Sequence, residues 1–133
     1  MIRLKDFLGE IQYAFLIVKP TFLDLTAEIL EKFKEHGWEL SRIRTTRLLE
    51  SQAQELYDIH KDEDFFENLV QYMSSGLSTG ILIKKRGSSN NYLEVVAKIK
   101  DEIRDQYGLD DMRNVLHSTD NINRLKKEAG IYF

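Results

Sequence analysis

Six consecutive apolar residues, Tyr13-Ala-Phe-Leu-Ile-Val18, run without a polar interruption and stop at Lys19-Pro20. A segment this short, partly β-branched and apolar at every position reads as a strand buried on both faces. Proline has no N–H to give to a ladder, so the strand ends at Pro20. Downstream, Leu25, Ile29, Leu30 and Phe33 recur at helical spacing, with Thr21 or Asp24 placed to cap the start and Gly37 to end the helix in a left-handed conformation. Trp38 to Leu48 reads as a strand whose imperfect alternation predicts a bulge or register change.

Two short helices follow, Ser51 to Ile59 and Phe65 to Met73, separated by the charged turn Lys61-Asp-Glu-Asp64 and ended by Ser74-Ser-Gly76. Thr79 to Ile83 is another apolar strand, and Lys84 to Asn91 a basic Gly/Ser/Asn-rich loop. Tyr92, Val96, Ile99, Ile103 and Tyr107 mark one face of an amphipathic helix ended by Gly108. A strand leading to His117 and a last helix from Asn121 to Ala129, stopped by Gly130, complete the chain. This order predicts an α+β ferredoxin-like sandwich, a four-stranded antiparallel sheet covered by helices, and one domain over residues 1–133.

Composition narrows the function. The 133 residues are 42% hydrophobic and 31% charged, as in an ordinary soluble globular domain. The net charge of −3 argues against a general nucleic-acid binder, while leaving room for a local basic pocket. Without cysteine there is no disulfide, thiolate nucleophile or zinc–thiolate site. No apolar run is long enough to span a membrane, and Lys5, Asp6 and Glu10 interrupt the N-terminus unlike a signal peptide. A cytoplasmic protein is expected.

His117 carries the most chemical information, in Asn114-Val-Leu-His117-Ser-Thr-Asp120. An imidazole at a strand end, beside hydroxyls and a helix N-terminus, is suited to nucleophilic or acid/base work because its ordinary pKa lies near neutrality. The plain alternative is a hydrogen-bonded structural histidine. Lys19 ends its strand on the side where sheets of this kind bind ligands, or is simply solvated. Arg104 and Arg113 flank the approach to His117; a guanidinium can grip phosphate oxygens, or sit on a helix surface. Glu128 opposes the dipole of the last helix, an effect that Lys126 and Lys127 can offset, and it is placed to orient an imidazole. Tyr57 and Phe65 are core residues or, for Phe65, a platform for a base. His36 and His60 read as structural or solvated, with no metal-ligand spacing. The Lys84–Asn91 loop lacks a phosphate-loop pattern.

Together these segments resemble a nucleoside diphosphate kinase. The matching pieces are the strand ending in Lys19-Pro20, Glu-Leu-Tyr57 with Lys61-Asp62 and Phe65-Phe66, Leu69-Val-Gln-Tyr-Met73 with Ser75-Gly76, Ile103-Arg104, Arg113 through Asp120, and Glu128 through Phe133. The resemblance implies that His117 accepts the γ-phosphate of a nucleoside triphosphate and passes it to a nucleoside diphosphate. Glu128, through or beside Thr119, would hydrogen-bond the other imidazole nitrogen. Lys19, Tyr57, Arg104 and Asn114 would contact phosphates and ribose, Phe65 would stack on the base, and Asp120 would fix the turn behind the histidine. Mg²⁺ would arrive with the nucleotide, held mainly by its phosphates, with no metal-ligating residue from the protein. Stacking alone implies broad base tolerance, and the family's habit implies a homo-oligomer.

The chain departs from the family pattern between Gly76 and Arg104, where it is shorter. The usual second phosphate arginine, a threonine-Asn-Pro stretch and a protruding loop have no counterpart, and Lys98 or Lys100 stands in as a candidate cation. The aspartate usual after Lys-Pro is here Thr21. Two other readings remain at this point: a degenerate member that binds nucleotide without transferring phosphate, and a ferredoxin-like regulatory or RNA-binding module. Negative charge and the absence of an aromatic ribonucleoprotein motif weigh against the last.

Overall fold

The computed structural model describes residues 11–87 and 90–133. Lys5, Asp6 and Glu10, and residues 88–89 of the expected basic loop, lie outside them. Along the chain run β1 (Ile11–Val18), a 3-10 turn (Leu23–Leu25), α1 (Thr26–Glu35), β2 (Glu39–Thr46), α2 (Glu50–Leu56), a second 3-10 turn (Asp58–His60), α3 (Phe66–Ser74), β3 (Ser78–Arg86), α4 (Tyr92–Tyr107), β4 (Leu116–Ser118) and α5 (Ile122–Tyr132). The sheet order is β2-β3-β1-β4 with every pair antiparallel, the ferredoxin-like arrangement expected from the order of elements.

The unbroken apolar run now has its cause. β1 lies inside the sheet, and successive side chains point to opposite faces. Ala14, Leu16 and Val18 enter a core with Ile29 and Phe33 of α1 and Val96, Ile99 and Ile103 of α4. Phe15 and Ile17 enter a second core with Ala53 and Leu56 of α2, Leu69, Val70 and Met73 of α3, and Tyr132 of α5. Each large side chain so buried contributes about 1.5–3 kcal/mol. Among the described residues, no helix is long and apolar enough to cross a membrane.

Local signals set most boundaries. At the end of α1, Gly37 takes φ +90°, its N–H bonds the Lys34 carbonyl, and the Trp38 N–H reaches back to the Phe33 carbonyl. That is a Schellman closure, with the buried Trp38 joining Phe33 in the first core. Trp38 therefore lies before β2 instead of within it. The predicted irregularity in β2 is a register shift between Leu40 and Arg42.

Other expectations need correction. Neither Thr21 nor Asp24 caps α1: Thr21 sits in a turn at φ +86°, and the Thr26 hydroxyl donates to the Leu23 carbonyl at the helix start. Lys84, Lys85 and Arg86 extend β3, paired with Tyr13, Gln12 and Ile11, because the long β1 offers them backbone partners. The last helix passes through Gly130 to Tyr132, since burial of the Tyr132 ring is worth more than the glycine's weak helix preference. Asn121 caps its start, its side-chain oxygen accepting from the Asn123 N–H at 2.9 Å.

Tyr132 explains a glycine inside β3. A Cβ built on Gly80 would lie 2.5–2.8 Å from atoms of the Tyr132 side chain, whose hydroxyl meets the Ser78 hydroxyl at 2.6 Å. The Gly80→Ala variant is expected to lose about 1–3 kcal/mol of stability by overpacking. A urea titration should show this as a lower midpoint at unchanged slope.

Candidate active site

β4 is a three-residue edge strand, and His117 stands opposite Ile17 of β1. Directly paired residues of antiparallel strands project to the same face. Ile17 faces the α2/α3/α5 core, so the His117 side chain emerges on that side, 20% exposed, where α5 meets the segment around Tyr57. The chain reaches β4 through a three-residue turn in which the Leu116 N–H bonds the Asn114 carbonyl and Val115 adopts φ +84°. A β-branched residue is strained in that conformation. The turn aims two carbonyls: that of Val115 accepts from the Lys19 N–H at 2.9 Å, and that of Leu116 accepts two guanidinium N–H groups of Arg104 at 2.7 and 3.0 Å.

Behind the imidazole, Glu128 is almost fully buried. Its Oε1 lies 2.7 Å from His117 Nε2 and accepts from the Thr119 hydroxyl at 2.7 Å. Its Oε2 accepts from Arg124 Nε at 3.0 Å. Burial alone raises a carboxyl group's pKa, but the donors from His117, Thr119 and Arg124 outweigh it and hold Glu128 down at about 2. His117 moves the other way. Burial, helped by the charges of Lys19 and Lys100, lowers its pKa below the usual 6.5 despite the pull of Glu128. An ionised carboxylate has only lone pairs to offer, so the neutral ring carries its proton on Nε2 and its free lone pair on Nδ1.

In front lies a cleft of about 510 Å³. All six of Lys19, Tyr57, Phe65, Arg104, Asn114 and His117 line it, while Thr119 and Glu128 stand behind the histidine. Lys19, 4% exposed, gives its ammonium to Asn114 Oδ1 at 2.7 Å and the Met112 carbonyl at 3.2 Å. Burial, then the charges of Arg104 and Lys100, lowers its pKa to about 7. Burial also lowers Arg104. Tyr57 is buried edge-on to His117 with ring centroids 5.9 Å apart, its hydroxyl without a partner among the described residues and its pKa raised, chiefly by burial. Phe65 is 48% exposed, with the His60 ring 5.4 Å away.

Neither candidate lysine is among the cleft-lining residues, and Lys98 is exposed. Lys100 is partly buried, one helical turn from Arg104, lowered by burial and by that arginine, and its charge is felt at both His117 and Lys19. Arg113 is turned to Asp110 instead, at 2.7 Å.

Several expectations are revised here. Lys126 and Lys127 do not offset Glu128: Arg124, four residues earlier on α5, does so, while Lys127 pairs with Asp58. Asp120 is exposed and takes no hydrogen bond among the described residues. The turn after His117 is held by the Thr119 N–H on the Phe15 carbonyl and by the Asn121 cap. His60, read as solvated or structural, lines the cleft, as do Asn68, Leu69, Asp111 and Met112. Arg124 was legible from its helical spacing to Glu128. Met112 was not, because a backbone carbonyl serves, and any residue type supplies one.

Known proteins resemble this chain along most of its length. The profile of the nucleoside diphosphate kinase family matches residues 12–133. A nucleoside diphosphate kinase of Saccharolobus islandicus is 27% identical over 134 residues, spanning 92% of this chain and 94% of the relative. That of Methanococcus maripaludis is 24% identical over 90% of this chain and 96% of its own. Among solved structures, the Aquifex aeolicus nucleoside diphosphate kinase superposes with a TM-score of 0.81 at 25% identity, covering 92% of this chain and 95% of that one. A halophilic nucleoside diphosphate kinase from Halobacterium salinarum, solved in complex with CDP, shares the fold with a TM-score of 0.78 at 24% identity over 92% and 87% of the two chains. With a family profile running along nearly all of its length, and relatives of that one name aligned over about nine-tenths of it, this chain belongs to the nucleoside diphosphate kinase family of enzymes.

Proposed function

We propose that this chain moves the γ-phosphate of a nucleoside triphosphate to a nucleoside diphosphate in two half-reactions at one cleft, with His117 as the relay. The observation that carries the reading is the 2.7 Å contact between His117 Nε2 and a Glu128 held ionised, which leaves Nδ1 as the ring's only lone pair. In the first half-reaction Nδ1 bonds the γ-phosphorus as the bond to the bridging β–γ oxygen breaks, and the nucleoside diphosphate leaves with that electron pair. The ring gains positive charge while Nε2–H stays on Glu128, which stabilises it. In the second, a β-phosphate oxygen of another nucleoside diphosphate takes the phosphoryl group, and the electron pair returns to Nδ1.

The other residues have physical reasons for their parts. Phosphoryl transfer asks the protein for positioning and positive charge rather than covalent work. Lys19, Arg104 and Lys100 supply charge around the histidine, and Lys100 fills the place of the cation missing from the shortened segment. The ammonium of Lys19 has a third N–H beyond those given to Asn114 and Met112. Tyr57 lines the cleft with a buried hydroxyl that has no partner among the described residues and so keeps a hydrogen bond to give, and Asn114 holds Lys19 in place. Phe65 stacks the base at the open end. Mg²⁺ enters as part of the triphosphate substrate, bound by phosphate oxygens. The CDP bound to the Halobacterium relative is a nucleotide of the class proposed here.

Incubation with γ-labelled ATP and Mg²⁺ should give acid-labile, alkali-stable label on the wild type, discharged by a second nucleoside diphosphate and absent from His117→Ala. Nucleotide protection against thermal unfolding without labelling would favour the binding-only alternative. Glu128→Gln, which removes the charge behind the ring, should lower kcat/KM by about 10²-fold.

The pH profile tests the electrostatics. His117 must be neutral to attack, so activity rises as pH climbs through its value, below 6.5. Lys19 must be charged, and its ammonium form is lost as pH rises through about 7. The profile of kcat/KM, which reports the free enzyme, should therefore be a narrow bell. Lys19→Arg, whose side chain keeps its charge, should remove the alkaline limb whatever its effect on the maximum.

A further inference from the structure

The reading above assigns the phosphate end of the cleft and leaves the base end with a bare ring. That end is not chemically bare. Asn68 lies three residues after Phe65, on the neighbouring turn of the same helical stretch, and its amide makes no hydrogen bond among the described residues. Asp111 reaches the same lining from the loop between α4 and β4. The two adjacent aspartates of that loop differ in kind. Asp110 Oδ1 accepts from the Met112 and Arg113 N–H groups at 3.0 and 2.6 Å, and its Oδ2 accepts from the Arg113 guanidinium at 2.8 Å. It is consumed by the turn. Asp111 contributes only its backbone carbonyl, to the Asn114 amide at 2.8 Å, and its carboxylate has no hydrogen-bond partner among the described residues.

A free carboxylate in the same cleft as a stacking ring discriminates among bases. Guanine presents two adjacent donors, N1–H and the 2-amino group, next to the O6 acceptor. Adenine and cytosine set one amino group beside a ring-nitrogen lone pair, and uracil sets one N–H between two carbonyls. Only guanine meets both carboxylate oxygens with donors; each other base turns at least one lone pair toward the negative charge. The Asn68 amide supplies the donor that O6 requires.

We propose that the cleft selects guanine nucleotides, Asp111 accepting from N1–H and the 2-amino group of a base stacked on Phe65 while Asn68 donates to O6. The proposal rests on the nucleotide-transfer reading, and it replaces the broad base tolerance that stacking alone implies.

The test compares acceptors for the phosphorylated protein: GDP, IDP, ADP, CDP and UDP. IDP is the sharp probe, since it keeps O6 and N1–H and lacks only the 2-amino group. GDP should exceed IDP in kcat/KM by about tenfold, the value of one hydrogen bond to a charged acceptor. In Asp111→Ala the GDP/IDP ratio should fall to about one. A merely structural role for Asp111 would slow all five acceptors equally and leave the ratio intact, and that result overturns the proposal, as does a wild-type ratio near one. Should no acceptor discharge label, the transfer reading falls by itself. Equilibrium dialysis of GDP and IDP against His117→Ala then decides the base question. A preference for GDP that Asp111→Ala abolishes sustains it; equal binding, or none, sinks it.

Discussion

A carboxylate that is almost fully buried governs this site. Glu128 is 3% exposed, and a lone charge at that depth would be lost to protonation. It stays ionised because both oxygens are occupied by donors from three places: His117 on β4, Thr119 just beyond it, and Arg124 one turn back on α5. Arg124 extends the chain of contacts to the Leu56 carbonyl and to Asp58. The docking of α5 on the sheet, the start of the 3-10 turn near Tyr57 and the tautomer of the imidazole are thus one coupled arrangement. Losing any single donor would leave the remaining buried charge short of a partner, which costs more than the bond itself was worth. The same network answers the objection that an acidic side chain near a helix C-terminus opposes the dipole. Arg124 lies four residues earlier on that helix, and the helix continues beyond Glu128 to Tyr132.

In front of the histidine the balance of charge is inverted. The chain as a whole is acidic, with a net charge of −3, yet Lys19 and Arg104 line the cleft together, and the charges of Arg104 and Lys100 both reach Lys19. Lys19 and Arg104 give their hydrogen bonds to carbonyl oxygens instead of carboxylates. Elsewhere acid and base cancel locally, Asp110 with Arg113 and Asp58 with Arg124 and Lys127. Neither Lys19 nor Arg104 has a carboxylate in hydrogen-bond contact among the described residues; burial depresses all three cations, and for Lys19 and Lys100 the charge of Arg104 adds to it. A polyanion entering there relieves both penalties at once. The cleft thus holds an unmet electrostatic need that the proposed phosphate binding would satisfy, concentrated where net charge gives no hint of it.

How much of this could be read from residues alone follows from the reach of each signal. The six-residue apolar run announced the interior strand because both faces of it had to be apolar, and Gly37 announced the end of α1 because a left-handed turn was required there. His117, Glu128 and Thr119 were legible through their similarity to a family motif, and the cleft gathers Lys19, Tyr57, Phe65, Arg104 and Asn114 from four separate stretches of chain. The misses share a cause. Lys84 to Arg86 look like a loop by composition, but the pairing partner in β1 lies some seventy residues away and overrides composition. Gly130 looks like a helix stop, but Tyr132 has a pocket against Gly80 to fill. Asp120 looks like the residue that fixes its turn, but backbone groups of Phe15 and Thr119 hold it. Where a role depends on main-chain atoms or on distant pairing, side-chain identity carries no trace of it.

The strained turn at Val115 shows why the arrangement tolerates no slack. Within three residues the chain must reverse, present one carbonyl to the Lys19 N–H and the next to Arg104, and then enter register with β1 so that His117 faces Ile17. A glycine would take φ +84° without strain, yet its freedom would leave both carbonyls and the imidazole less firmly aimed. Valine holds the conformation because its side chain is fully buried among the residues of the first core. The burial, about 1.5–3 kcal/mol, is comparable with the 1–3 kcal/mol that such a backbone costs. The hydrophobic packing of one face of the sheet thus fixes the direction of the imidazole on the other, and the double-sided burial of β1 is what lets the two faces act on each other.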